Sequence, residues 1–407
     1  MTTTEIYLIA LALIFAVPWA VWRLLGGSVM LPLVVVQILG GILLGPGVLG
    51  AIYPEYYAFV FRPEVVSALN GVAWWAVMLF VFLAGVELDL AQAWAARRDT
   101  VVTSGLTLLV PLAAGVVVGA VMLRWPGWVG PKGTEWQVIL GLGMACAVTA
   151  LPILILFLEQ LTLLRHPLGQ RVLRYASLDD LAIWGVLALI LLDWQRLGRQ
   201  AVFLALFVVL ALAVRWVLPR LVLRDRWPVA LIWLVAVALA ADWAGLHYMV
   251  GAFLAGVVIE AGLLKEDAVA QMRGVLLLAF MPVFFLSTGL RTSWEMGGVG
   301  VFAAAAGLLV AAIVGKLAGV VLAGRILGWP KGQAWGIGWL LQSKALISII
   351  FANVLLDRGV IAPSTFTALL LMALGSTVLT MPVVSSWMQR AGRDAVRPVG
   401  IDPAGRD

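Results

Sequence analysis

Two adjacent carboxylates interrupt an otherwise apolar stretch of the sequence, Ala176-Ser177-Leu178-Asp179-Asp180-Leu181-Ala182-Ile183-Trp184. An ionisable side chain at bilayer depth costs at least a few kcal/mol, and such side chains usually serve a function. Two of them together need a partner, a water-filled cavity or a role in transport. The stretch therefore predicts a buried polar site inside a membrane-spanning helix.

The composition places the chain in the membrane. Its 407 residues are 63% hydrophobic and 12% charged, which is outside the usual range of soluble domains. The 27 Lys and Arg residues are scattered through short loops, where they report orientation in a bilayer, so we expect no nucleic-acid partner. One cysteine, Cys146, and two histidines, His166 and His247, cannot build a disulfide or a thiolate cluster and argue against a histidine metal site. We expect no cofactor.

Apolar stretches of about 20 residues, long enough to span roughly 30 Å as helix, recur along the whole chain. About 13 are found, and they predict an all-α polytopic membrane protein. We expect one transmembrane domain over residues 1–389, a short cytoplasmic tail over 390–407 and no soluble regulatory domain. The predicted spans are 5–24, 30–50, 66–88, 100–123, 137–158, 171–193, 199–218, 228–244, 246–263, 273–290, 299–323, 334–356 and 364–388.

The charges of the loops predict how the chain is oriented in the membrane, and the number of helices predicts an internal repeat. Lys and Arg accumulate on one side when the spans alternate, which predicts an external N-terminus and a cytoplasmic C-terminus in the cell's inner (plasma) membrane. Six helices, a linking helix near 199–218 and six more helices would place the second half upside down relative to the first. Inverted repeats of this kind are common in secondary transporters.

Each half also contains an apolar segment interrupted by small and polar residues, at 145–152 and at 341–345. Pro152 lacks a backbone donor and clashes with the preceding turn, so we expect a break near Thr149. Gln342, Ser343 and Lys344 mark the second interruption. Broken helices in corresponding places of two repeats predict a site near the bilayer midplane.

The second half carries its own intramembrane charge, Lys316. Gly315 and Gly319, four residues apart on one face, would let this helix approach a neighbour closely. A buried ammonium needs a counter-charge, and one of the two aspartates is the economical partner. The other aspartate points about 100° away around its helix and faces a different environment.

An aspartate that no cation holds can serve as a carrier. Burial disfavours its charged form, so it can exchange a proton near neutral pH. Once deprotonated, it is a hard oxygen ligand suited to a small alkali cation, helped by carbonyls freed at the helix breaks. A site that holds either a proton or a cation describes an antiporter. The alternative is a buried network of Asp179, Asp180 and Lys316 that only fixes helix packing.

The chain also resembles the monovalent cation:proton antiporter-2 family, which includes bacterial sodium/proton exchangers and the membrane parts of Kef-type potassium efflux systems. The resemblance runs from about residue 30 to 388 and depends on an ordered set of motifs and not on any single one. These motifs are Gln37–Pro46, Phe82–Asp89, Val148–Pro152 followed by the Asp179-Asp180 pair, Gly251–Gly256, Pro282–Arg291 and Gly315-Lys316.

The resemblance implies an elevator-like exchanger, usually dimeric. It would have a moving core, around 100–193 and 299–388, and a dimerisation scaffold, around 5–88 and 228–290. Asp180 would carry the proton and the monovalent cation, Asp179 would pair with Lys316, and Thr149 would lie beside the site. Two adjacent acids resemble the electrogenic members, but potassium-selective members also exist, so Na⁺, Li⁺ and K⁺ all remain open.

The second break departs from the family pattern. Where the family usually has a glycine after the basic residue, this chain has Ala345, and it has Ser348 where a carboxylate is common. Two further hydroxyls, of Ser177 and Ser287, can donate hydrogen bonds near the site or simply bond to the preceding helical turn.

Three other functions compete with antiport. A channel would need continuously open, charge-lined pore helices, which one acidic pair and a buried lysine do not supply. An intramembrane enzyme would need a nucleophile with a base or a metal set, and neither is found in the sequence. A cation-coupled symporter of a small organic solute, built on a related fold, is the stronger competitor.

Overall fold

A computed structural model describes residues 1–24, 33–46, 48–87, 97–164, 166–192, 197–290, 298–330 and 332–391. Three features named above lie outside these residues, namely Asp89, Arg291 and the end of the predicted tail at 392–407.

The described residues form α-helices that follow one another through short connections. Several helices begin with proline, which fits the first turn because its missing N–H needs no partner there. In chain order the helices are α1 Thr3–Leu24, α2 Leu33–Leu43, α3 Leu49–Ile52, α4 Pro54–Val60, α5 Pro63–Val86, α6 Arg97–Met122, α7 Glu135–Ala147, α8 Leu151–Gln160, α9 Pro167–Ile190, α10 Leu197–Val217, α11 Leu223–Trp243, α12 Tyr248–Val257, α13 Ala261–Leu264, α14 Glu266–Val275, α15 Met281–Gly289, α16 Gly298–Leu327, α17 Gln333–Leu340, α18 Ala345–Asp357 and α19 Pro363–Ala391.

Within these described ranges, eight helices are long and apolar enough to cross a membrane, and one of them, Glu266–Gly289, continues from α14 into α15 through the π-helical turn Leu276–Phe280. Helix α9, which carries Asp179 and Asp180, is not one of the eight. A ninth span is possible if α17 and α18, which are bent by 44° at their break, count as one. Two shorter apolar helices, α7 and α12, have 13 and 10 residues. The all-helical membrane fold is therefore confirmed, while the count of about 13 spans stays a prediction.

The chain divides into two compact units. The first unit comprises Met1–Gly26, Val36–Leu88 and Trp184–Thr292. Here glycines let backbones touch: a Cβ on Gly85 of α5 would lie 2.4 Å from the carbonyl oxygen of Phe253 of α12. A side chain at this position would force the two helices apart, which explains the glycine in this motif.

The second unit comprises Gly27–Val35, Asp89–Ile183 and Ser293–Asp407. Its long helices α6 and α16 pack tightly because Gly315 and Gly319 lie against the α6 backbone. A Cβ on Gly315 would be 2.5 Å from Cα of Pro111, and one on Gly319 would be 2.4 Å from the carbonyl oxygen of Leu106. The close helix approach predicted from these two glycines is confirmed. It brings Lys316, one residue after Gly315, to the interior face of α16.

Candidate functional site

The first helix break lies between α7 and α8. Helix α7 ends at Ala147, Val148 adopts an extended conformation, and α8 begins at Leu151. Thr149 therefore lies in a non-helical segment, as Pro152 in the first turn of α8 predicts. The break leaves the last carbonyls of α7 without intrahelical partners, and in a membrane these groups must be satisfied by the protein.

The predicted lysine and aspartate form a buried ion pair beside this break. Nζ of Lys316 donates to Oδ2 of Asp179 at 2.7 Å, to the Thr107 carbonyl at 3.2 Å and to the Ala147 carbonyl. The side chains of Lys316 and Asp179 are essentially inaccessible to solvent. Three acceptors match the three donors of an ammonium group, so the buried lysine charge is fully hydrogen-bonded.

Thr149 joins this pair to the second break. Its hydroxyl lies 2.8 Å from Oδ2 of Asp179 and 2.9 Å from the Leu341 carbonyl, and its one proton can be given to either acceptor. The amide of Ala150 donates to the Ser343 carbonyl at 2.5 Å. The two broken segments are thus hydrogen-bonded directly to each other, side chain to backbone and backbone to backbone.

Lys344 is a second fully buried lysine, at the start of α18. Its ammonium donates to the Val148 carbonyl at 2.7 Å. In the part of the chain that the structure describes, no carboxylate forms an ion pair with it. The two lysines of the site are therefore held differently. Lys316 is held by a carboxylate and two carbonyls, whereas Lys344 is held by the Val148 carbonyl at the end of α7.

Hydroxyl groups of α19 complete the second break. Oγ1 of Thr377 accepts from the amides of Lys344 at 3.1 Å and Ala345 at 2.9 Å, which are among the free donors at the start of α18. Ser376 donates to the Gln342 carbonyl at 2.8 Å. The Gln342 side chain in turn donates to the carbonyls of Ala312 and Ile313 on α16.

Asp180 lies beside Asp179 on α9 and is equally buried, with 1% of its surface exposed. The structure thus brings together, in the second unit, seven of the residues that the sequence predicted for the site. They are Thr149, Asp179, Asp180, Lys316, Gln342, Ser343 and Lys344.

The two supporting serines have other roles. Ser177 donates to the Leu173 carbonyl four residues earlier in α9, at 3.0 Å, which is the ordinary arrangement of a helical serine. Ser287 belongs to the first unit, where it donates to Oδ1 of Asn70 at 2.6 Å. Neither of these hydrogen bonds involves an aspartate of the site.

Main-chain carbonyls at the breaks already accept hydrogen bonds from the protein. At the first break, Lys316 and Lys344 donate to the carbonyls of Ala147 and Val148. At the second break, the carbonyls of Leu341, Gln342 and Ser343 lie within hydrogen-bonding distance of the Thr149 hydroxyl, the Ser376 hydroxyl and the Ala150 amide, respectively. The sequence suggested that such carbonyls would help to hold a cation. In this arrangement the carboxylates are the strongest oxygen ligands left in the site. Among the described residues, no group of three or more His, Cys, Asp or Glu side chains could hold a metal ion.

Three contributors escaped the sequence reasoning, namely Thr107, Ser376 and Thr377. Thr107 contributes a backbone carbonyl, which no residue type reveals. Ser376 and Thr377 lie in an apolar helix where hydroxyls commonly bond to their own backbone, and Thr377 does so as well, to Ala373 at 2.9 Å. Only the tertiary structure shows that their hydroxyls also serve the second break.

The chain is similar in sequence to named cation/proton antiporters. The chain is 28% identical to Cation/H(+) antiporter 20 of Arabidopsis thaliana over 389 residues, which cover 87% of this chain and 45% of that protein. It is 27% identical to Na(+)/H(+) antiporter NhaS4 of Synechocystis over 373 residues, covering 87% of this chain and 90% of that protein. The chain thus spans less than half of the plant relative.

The fold is also found among solved structures. The sodium proton antiporter MjNhaP1 from Methanocaldococcus jannaschii superimposes with a TM-score of 0.64 at 14% sequence identity, covering 98% of this chain and 100% of that one. The family model described as sodium/hydrogen exchanger, transmembrane, matches residues 9–389. The chain therefore belongs to the transmembrane sodium/hydrogen exchanger family.

Proposed function

We propose that the chain is a secondary active antiporter that exchanges protons for a monovalent cation, Na⁺, Li⁺ or K⁺, across a membrane. Asp180 carries the proton in one half of the cycle and the cation in the other. Asp179 and Lys316 form the fixed pair beside it, and Thr149 ties Asp179 to the two helix breaks.

One observation carries this proposal: two buried carboxylates lie side by side, and the buried lysine Lys316 donates to Asp179, which fixes that carboxylate in place. Oδ2 of Asp179 receives both Lys316 and Thr149, so exchanging its ligand would break the contacts that join three helices. Asp180 can take up a proton or a cation while those contacts stay in place. A carboxylate that binds either partner, one at a time, couples the two flows.

The relatives support the same exchange. The names of the Arabidopsis and Synechocystis proteins describe cation/H(+) and Na(+)/H(+) antiport, and a relative from Bacillus cereus, 26% identical, is named a Na(+)/H(+)-K(+) antiporter. These names differ in the cation, so the choice among Na⁺, Li⁺ and K⁺ stays open for this chain. No relative among these is named for an organic solute or a catalysed reaction, so they favour neither the symporter nor an enzyme.

We further propose an elevator-type mechanism in a homodimer, with the second unit as the moving core and the first unit as the scaffold. The division of the chain into two units supports this assignment, because both breaks and all seven site residues belong to one of them. The breaks at Thr149 and at 341–344 support the inverted repeat of six helices around α10 and a total of about 13 spans. Asp179 and Asp180, two adjacent acids like those of electrogenic exchangers, support electrogenic exchange.

The loop charges support an orientation in the inner (plasma) membrane with the N-terminus outside and the C-terminus in the cytoplasm. The lipid bilayer is then a partner of the apolar helix surfaces. Exposed large side chains on α10, such as Val209 and Leu212, are consistent with contact to lipid or to a second copy.

The exchange can be tested with purified protein in liposomes under an imposed pH gradient, while a dye reports internal pH. Addition of Na⁺, Li⁺ or K⁺ should dissipate the gradient with the transported ion and not with the others. Asp180→Asn removes the charge and should abolish this response. Asp225→Asn, at an exposed aspartate of α11, is the matched control and should respond as the unaltered protein does.

Two results would contradict the proposal. A response that persists undiminished in Asp180→Asn would exclude this residue as the carrier. A protein that dissipates the gradient only when an organic solute is added, and with none of the three cations alone, would be the symporter.

A further inference from the structure

A polar seam joins α6 to α9 inside the second unit. Polar residues recur every four positions in both helices, namely Asp99, Thr103 and Thr107 in α6 and Arg171, Tyr175 and Asp179 in α9. Residues four apart lie on the same face of a helix. Both helices therefore present a polar residue to the seam once in every turn, in the same register.

Contacts tie the seam together at three levels. Arg171 forms an ion pair with Asp99 at 3.2 Å, and the Tyr175 hydroxyl donates to Oδ2 of Asp99 at 2.5 Å. Thr103 lies beside the Tyr175 hydroxyl. At the inner end, Lys316 bridges the Thr107 carbonyl and Asp179. The seam thus runs from Asp99 to the ion pair of the candidate site.

The two ends of the seam differ in exposure. The side chain of Asp99 is 28% exposed, whereas Lys316 and Asp179 are buried. Thr107 lies eight positions after Asp99 in α6, which corresponds to about 12 Å along the helix axis. The seam therefore connects a surface in contact with solvent to a site with no exposure of its own.

The buried stripe of α6 along this seam consists only of hydroxyl residues: Thr100, Thr103, Ser104 and Thr107. The Thr107 hydroxyl bonds to the Ser104 carbonyl at 3.2 Å. The hydroxyls of Thr100, Thr103 and Ser104 have no hydrogen-bond partner among the described residues. Buried hydroxyls of this kind ordinarily bind ordered water, and i, i+3 and i, i+4 spacings of about 5–6 Å are within the reach of one bridging water.

We propose that this seam is the route by which protons travel between the surface at Asp99 and the Asp179–Lys316 pair. The inference rests on the proposed function, since only a proton-coupled protein needs such a route. Hydroxyls and water both donate and accept, so each group takes one proton from its neighbour and gives one to the next. A proton that enters at the Asp99 carboxylate thereby arrives beside the Asp179–Lys316 pair and is taken up by the carrier carboxylate of Asp180, so the pair keeps its charges.

The charges along the seam select against a metal cation. Arg171 is paired with Asp99 at the outer end and Lys316 with Asp179 at the inner end, so a cation in the seam would have to displace an ion pair to gain a carboxylate ligand. A proton passes by exchange of hydrogen bonds and needs no open channel. The transported cation must therefore reach Asp180 by another path, so the two substrates approach the site from different sides of α9.

The first test removes a hydroxyl group while keeping the shape of the side chain. Thr103→Val in proteoliposomes should lower the rate of proton movement at saturating cation about a hundredfold, the usual minimum for loss of a proton-transfer group. The cation concentration at half-maximal rate should not change, because the carboxylates are intact. Thr103→Ser keeps a hydroxyl and should restore the rate. Thr380→Val is the matched control, since this buried hydroxyl bonds to Ser376 in its own helix.

The second test measures water directly and does not depend on transport. Ser104→Cys should react with a small water-soluble thiol reagent, because a thiol reacts as the thiolate and needs water to ionise. Thr380→Cys should not react. The unaltered protein gives the baseline, since its cysteine, Cys146, is buried.

The outcomes separate the two proposals. An exchanger in which Thr103→Val keeps the full rate, or in which Ser104→Cys stays unreactive, has a merely structural seam, and the route is wrong. A protein whose unaltered form exchanges no proton for any cation disproves the proposed function itself.

Discussion

The two helix breaks of the second unit lie side by side but are held by different chemistry. The carbonyls of the first break, at Ala147 and Val148, receive the ammonium groups of Lys316 and Lys344. The carbonyls of the second break, at Leu341, Gln342 and Ser343, are within hydrogen-bonding distance of two hydroxyls and an amide. Charge holds the first break, and neutral hydrogen bonds hold the second.

Helix electrostatics favour the two ammonium groups at the first break. The first break follows the C-terminus of α7, where the helix dipole places partial negative charge and favours cations. At the second break the structure instead shows a hydroxyl, Thr377, capping the free amides at the start of α18. Both breaks follow a helix C-terminus, that of α7 and that of α17. Their partners therefore differ with the side chains that reach each break and not with the helix end alone.

The largest effect should follow loss of the charge that joins the first break to Asp179. Lys316→Met leaves a buried carboxylate without its cation, and breaking such a pair costs about 3–5 kcal/mol. We expect this loss in the free energy of unfolding, measured in lipid-detergent micelles. Lys316→Met combined with Asp179→Asn removes both charges and should recover part of the loss. Equal stability of Lys316→Met and the unaltered protein would mean that the pair does not hold the break.

A smaller effect should follow at the second break. Thr377→Val removes the acceptor of two helix-start amides, and loss of such a cap costs about 1–2 kcal/mol. The free energy of unfolding in the same micelles measures it. Thr380→Val is the control, because its hydroxyl bonds within its own helix and its loss should cost less. If both variants are equally stable, Thr377 does not cap α18.

Much of this arrangement follows from the sequence by physical necessity. Pro152 forces an interruption of the helix, Gly315 and Gly319 allow α16 to meet α6, and a buried Lys316 requires a carboxylate nearby. Each of these arguments uses a cost that the chain must meet wherever it folds. The all-helical fold follows in the same way, from the length and apolarity of the spans.

The remaining features depend on distances that only the folded chain sets. The sequence does not show that Lys344 meets a carbonyl, or that α6 and α9 run in register from Asp99 to Asp179. The hydroxyl stripe of α6 did carry a signal, since Thr100, Thr103, Ser104 and Thr107 recur at helical spacing. Ser and Thr are so commonly satisfied by their own helix that this spacing alone predicts nothing.

Thr149 offers a way to sharpen the comparison, because it belongs to one break and bonds to the other. Thr149→Val removes a hydroxyl that meets Asp179 and the Leu341 carbonyl, and we expect a loss of about 1 kcal/mol in the free energy of unfolding. Thr149→Ser keeps the hydroxyl and should be close to the unaltered protein. A loss as large in Thr149→Ser as in Thr149→Val would assign the effect to packing of the methyl group.

The smallest change in stability should come from the second lysine. Lys344→Met removes one hydrogen bond to Val148 and also removes the cost of burying an ammonium that, among the described residues, pairs with no carboxylate. An apolar side chain of similar volume is often neutral or stabilising in place of a buried charge, so the free energy of unfolding should change by less than about 1 kcal/mol. A loss as great as that of Lys316→Met would show that both lysines are held by carboxylates. The two breaks would then differ in their neutral donors alone, and the negative end of α7 would not by itself account for a lysine beside it.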